Sequence, residues 1–105
     1  MTDLTPHIVR LNDGQSFPPS GQVARLAVEY QPTGDGLTAV AVFGPIQGLP
    51  EPEEGTIYVA SALVAQAAAN LGRTDVYSPA TGHPQAVRNA DGQVVSVPFL
   101  VRQPN

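Results

Sequence analysis

Proline and glycine interrupt this chain so often that only short elements fit between them: of 105 residues, 11 are Pro and 10 are Gly. Proline fixes φ and removes a backbone donor, while glycine supplies the positive φ of tight turns. Both lie between short apolar runs and do not gather in one tract, so they punctuate strands. The pattern predicts one domain over residues 1–105, of α+β class. It has five to seven short, mostly antiparallel strands with one helix packed on them.

The single helical signal covers about residues 61–71. Gly55-Thr-Ile-Tyr-Val-Ala-Ser61 reads as a strand that ends at a serine, and the serine starts the helix. Residues 56–60 are apolar almost throughout, which places them centrally in the sheet. Ser61 can accept a bond from the free N–H groups of the first turn. Gly72 suits the left-handed position after the last turn, and Arg73 complements the dipole there. Leu63, Val64, Ala67, Ala68 and Leu71 form the stripe expected to face the sheet. Ala62, Ala65, Gln66 and Ala69 form an uncharged opposite face. That face reads either as a run of good helix formers or as a contact with a second subunit.

Around the helix, residues 8–11 predict a strand closed by Asn12-Asp13-Gly14, and residues 17–21 a rigid loop holding Phe17. Residues 23–30 alternate in polarity and pair with residues 37–43 as an antiparallel hairpin. Residues 44–55 hold three prolines with Glu51, Glu53 and Glu54, and read as an exposed acidic loop. Residues 75–84 read as a polar loop that carries Tyr77. Residues 85–88 and 93–102 predict a second hairpin about Asp91-Gly92, with Pro98 marking an edge or a bulge.

Composition removes several chemistries. Without Cys there is no disulfide, thiolate catalysis or cysteine zinc site. All five cations are Arg, so a Schiff-base lysine and a P-loop lysine are excluded, and two-pronged contact with carboxylate or phosphate is favoured. A net charge of −4 gives no basic field for long nucleic acid. No apolar run approaches the about 20 residues of a membrane span, and the first residues lack a secretory pattern. The expectation is a cytoplasmic protein. Charged residues make up only 13%, which favours a homo-oligomer.

Three constellations carry candidate chemistry. The first is an anion or nucleotide site at the start of the helix. Ser61 would sit there with Thr81, Gly82 and His83, with Arg73 or Arg88 as the clamp and Tyr77 as a stacking partner. The second is a Ser61–His83–Asp75 hydrolase, although alanines flank Ser61 and the nucleophile-elbow pattern is missing. The third is a metal at His7 or His83. Neither has a ligand spacing, so no metal and no cofactor is expected, and His7 reads as a partly buried ring bonded to backbone.

Leu4-Thr-Pro-His7 resembles the opening of a mostly uncharacterised family of small phage and prophage proteins. Pro19-Ser-Gly21, Gly48-Leu-Pro50, Gly55-Thr-Ile-Tyr-Val-Ala-Ser61, Arg73-Thr-Asp75, Pro79-Ala-Thr-Gly82, Ala86-Val-Arg88 and Asp91-Gly92 extend the resemblance along most of the chain. It implies a phage-encoded protein of the host cytoplasm that counters host defence. Some such proteins are sponges, which sequester a nucleotide immune signal of cyclic ADP-ribose or cyclic oligonucleotide type without cleaving it. A protein-binding inhibitor of a host defence enzyme stays open, acting through the acidic loop or the alanine face. So do a small nucleotide hydrolase and a minor virion component.

Overall fold

The structure is a computed structural model that describes residues 1–104. Its strands are β1 (Thr2–Asp3), β2 (Val9–Arg10), β3 (Ser16–Phe17), β4 (Arg25–Pro32), β5 (Ala39–Gln47), β6 (Tyr58–Val59), β7 (Val76–Pro79), β8 (Val87–Arg88), β9 (Val94–Ser96) and β10 (Leu100–Arg102), with α1 (Ala62–Asn70) between β6 and β7. This is an α+β fold. Its ten strands exceed the five to seven expected because several are only two residues long, too short to show a polarity period.

The central sheet has the order β1-β6-β7-β10. β1 and β7 each run parallel to β6, and β10 closes the sheet antiparallel to β7. The apolar run through Tyr58 is therefore central, as its composition requires. Crossover through α1 is what makes β6 and β7 parallel, since a tight turn can join only antiparallel strands. The remaining pairs, β2–β3, β4–β5 and β8–β9, are antiparallel. Tyr77 and Phe17 lie in strands and not in loops: Tyr77 pairs with Val59 and Arg102, and Phe17 with Val9. The expected strand over residues 93–102 is split around Pro98, with β9 joining β8 and β10 joining β7.

The helix is capped at both ends by its own sequence. Ser61 takes an extended conformation, and its Oγ accepts from the Val64 N–H at 3.3 Å. At the other end Gly72 has φ +87, its N–H donating to the Ala69 carbonyl, while the Arg73 N–H donates to Ala68. These are the two bonds of a Schellman turn. The face that packs on the sheet is Val64, Ala65, Ala68 and Ala69, whereas Leu63 and Leu71 are 60% and 74% exposed. The expected stripe is thus rotated. Small side chains allow the helix to approach the sheet closely, and close packing outweighs placing the two leucines inside. Burial of Ala65 and Ala69 also removes the alanine face as a subunit contact. The core joins Val64, Ala65 and Ala68 to Leu4, Ala24, Tyr58, Ala60 and Val76.

β4 and β5 form a two-stranded ribbon. It reaches the core only at its root, through Leu26 and Ile46. β5 continues through Gly44 and Pro45 to Gln47, into residues expected as loop. A register shift between Leu26 and Val28 absorbs the proline. Beyond the root the ribbon projects: the radius of gyration is 15.5 Å, against about 13 Å for a compact chain of this length. Gly48 fixes the exit from the ribbon. It has φ +80, and a Cβ there would lie 2.5 Å from the Val23 carbonyl oxygen.

Candidate functional site

Three loops follow the carboxyl ends of the parallel strands β1, β6 and β7. They converge with β9 on a cavity of about 450 Å³. Residues 5–10 follow β1, residues 60–62 follow β6, Pro79 and Thr81 close β7, and residues 94–97 form the last wall. Ligands collect at this end of parallel strands because loops and a helix N-terminus open there together. Here the helix is α1, and Ser61 and Ala62 line the cavity.

The first turn of a helix leaves N–H groups without an intrahelical partner, and Ser61 satisfies only that of Val64. No acidic residue occupies this turn, so no carboxylate of the helix itself competes for its positive end. Arg10 of β2 also lines the cavity. Among the described residues the salt bridge is Arg73–Asp75, so Arg10 has no carboxylate partner there. Thr5 and His7 complete the polar side. Buried Asp3 orders Thr5: its Oδ1 accepts from the Thr5 N–H at 2.9 Å and the Thr5 hydroxyl at 2.6 Å. Asp3 Oδ2 has no partner among the described residues.

Of the sequence-predicted site residues, Ser61 and Thr81 meet at this cavity and the others do not line it. Arg73 lies past the opposite end of α1. Its Nε and Nη2 donate to the Asp75 carboxylate at 2.8 and 2.9 Å, and Nη2 also donates to the Pro50 carbonyl. This bidentate bond holds the Asp75 carboxyl below its ordinary value and raises Arg73. Arg88 spans two carbonyls, those of Gly92 and Thr81, so it braces the Thr81 loop from outside. Tyr77 lies within β7, and Gly82 is exposed. His83 stacks edge-on with Phe99 at 5.0 Å, and its Nδ1 accepts from the Gln85 N–H. It thus takes the backbone-bonded role expected of His7, whereas His7 is exposed. Ser61, His83 and Asp75 do not assemble: Asp75 stands before β7 and Ser61 beyond the far end of β6.

Arg10 and Thr5 were not site candidates from sequence, and His7 was weighed there only as a metal ligand. They are about fifty residues from Ser61 in the chain, and only the parallel pairing of β1 with β6 brings them to it. Comparison with known protein families, with curated proteins and with solved structures finds no match to this chain. No helix among the described residues is long and apolar enough to cross a membrane.

Proposed function

We propose that this chain is a non-catalytic binding protein that captures a small phosphate-bearing molecule in the cavity at the start of α1. The observation that carries the reading is the meeting of an open, serine-capped helix N-terminus with Arg10 in one cavity of small-ligand size. Backbone N–H groups and a guanidinium are the two donors that grip phosphate most strongly. The apolar wall of Val94, Val95 and Val97 offers a surface for a base or sugar face. Capture without turnover is supported by the engagement of the two partners a Ser61 nucleophile would need: the Asp75 carboxylate is held by Arg73 and the His83 ring by Gln85.

The resemblance to phage proteins narrows the ligand to a nucleotide defence signal of cyclic ADP-ribose or cyclic oligonucleotide type, sequestered in the host cytoplasm. Titration calorimetry with a panel of these nucleotides tests the reading. One of them is expected to bind, and heat-released ligand is expected to be chemically intact. Conversion to product identifies an enzyme instead, and no heat with any phosphate compound rejects the site.

A further inference from the structure

The β4–β5 ribbon has two edges, and they are not equivalent. The Thr33 N–H donates to the Thr38 carbonyl at 3.1 Å, which makes this a hydrogen-bonded pair. Antiparallel ladders alternate bonded and non-bonded pairs. Gln31–Val40 and Glu29–Val42 are then bonded pairs, and Pro32–Ala39, Tyr30–Ala41 and Val28–Phe43 are not. Pro32, which has no N–H, fits its place. The backbone groups of Ala39, Ala41 and Phe43 therefore point outward from β5, and those of Val28, Tyr30 and Pro32 outward from β4.

Exposed edges are normally blunted with charge, proline or a bulge. The β4 edge has Arg25, Glu29 and the donor-less Pro32. The β5 edge has no charged residue, and its one proline sits in the bulge, past the three outward residues. One face of the ribbon carries Pro32, Tyr30, Val28, Ala39, Ala41 and Phe43, with Tyr30 and Phe43 71% and 53% exposed.

We propose that β5 pairs antiparallel with β5 of a second copy of this chain, about a two-fold axis through Ala41. The register is self-complementary. Ala41 faces Ala41 of the partner subunit, and each Phe43 falls opposite the small Ala39 of the other copy. Every outward N–H and C=O of the three residues then finds a partner, and neutral strands meet without repulsion. The apolar faces of the two ribbons join into one four-stranded surface. This dimer is independent of the cavity at α1.

Sedimentation equilibrium from low to high micromolar concentration reads the association. The expected result is a dimer that Ala41→Glu weakens about 100-fold, because two like charges then meet on the axis. An equimolar mixture of Ala41→Glu and Ala41→Lys is expected to restore it. Ala41→Cys, the only thiol in the chain, should cross-link under mild oxidation, since facing bonded residues lie about 5.5 Å apart at Cα. Ala39→Cys faces Phe43 and should not. Ala41 is exposed in the single chain, so circular dichroism of these variants should match the native spectrum. A native chain that stays monomeric overturns the proposal and leaves the edge to an extended segment of another protein. A dimer that Ala41→Glu leaves intact overturns it equally.

Discussion

The two ends of α1 are built from the same kinds of parts and do opposite things. At the carboxyl end the Gly72 and Arg73 N–H groups close the last turn. The Arg73 side chain then fastens that corner to Asp75 and to the Pro50 carbonyl. At the amino end Ser61 answers one N–H, and the rest of the turn opens on a cavity with Arg10 at its wall. The chain thus places one arginine inside its framework and another at a cavity. Only the second can meet a ligand without unfastening the fold, and burial and partners separate them where residue type does not.

Removing Arg73 should produce the largest effect. Arg73→Ala takes away a partly buried bidentate pair and strands the Asp75 carboxylate, costing about 2–3 kcal/mol in urea unfolding. Ligand affinity of the folded fraction should not change. A larger loss of affinity than of stability would make Arg73 a ligand contact and erase the contrast.

Acid probes the same corner. The Asp75 carboxyl is lowered in the folded state by its bond to Arg73. Its contribution is therefore fully present above the unfolded carboxylate value of about 3.9 and is lost as pH falls through the folded value. Asp13 and Asp35 are lowered too, by bonds from Gln15 and from the Leu37 and Thr38 backbone, so the native chain has a summed acid response. Asp75→Asn should flatten that response below pH about 4 relative to the native chain. Identical urea midpoints against pH for the two proteins would contradict this.

At the amino end the effects are smaller in stability and greater in binding. Ser61→Ala should cost about 1 kcal/mol, and Ser61→Gly only a few tenths, because glycine is an acceptable cap. If Ser61 touches the ligand, both should weaken binding, and the excess of binding loss over stability loss measures that contact. Arg10→Ala should leave stability within about 0.5 kcal/mol, since its side chain is exposed. It should weaken phosphate binding by about ten- to a hundred-fold, as expected for a charge-assisted bond. An Arg10→Ala protein with native affinity would remove the cation from the site.

Much of the local structure was legible in the residues. Ser61 and Gly72 mark the helix ends because a cap and a left-handed residue act through their own neighbours. The β4–β5 hairpin announces itself by alternation, and Pro98 by its missing donor. The buried helix face was not legible: Leu63 and Leu71 look like core, yet the close approach of the sheet selects alanines. The site was half legible. Ser61 and Thr81 line one cavity, while Arg10 lies in a strand the sequence did mark but is carried to that cavity by pairing between distant segments.

The sequence by itself determined where the chain turns, where its helix begins and ends, and that its cations are all arginines, because these depend on single residues and their immediate neighbours. Tertiary structure alone decided that β1 and β7 flank β6 in parallel, and so which loops surround the open helix end. Parallel neighbours must be far apart in the chain, and no local preference encodes which distant segments will share a ladder.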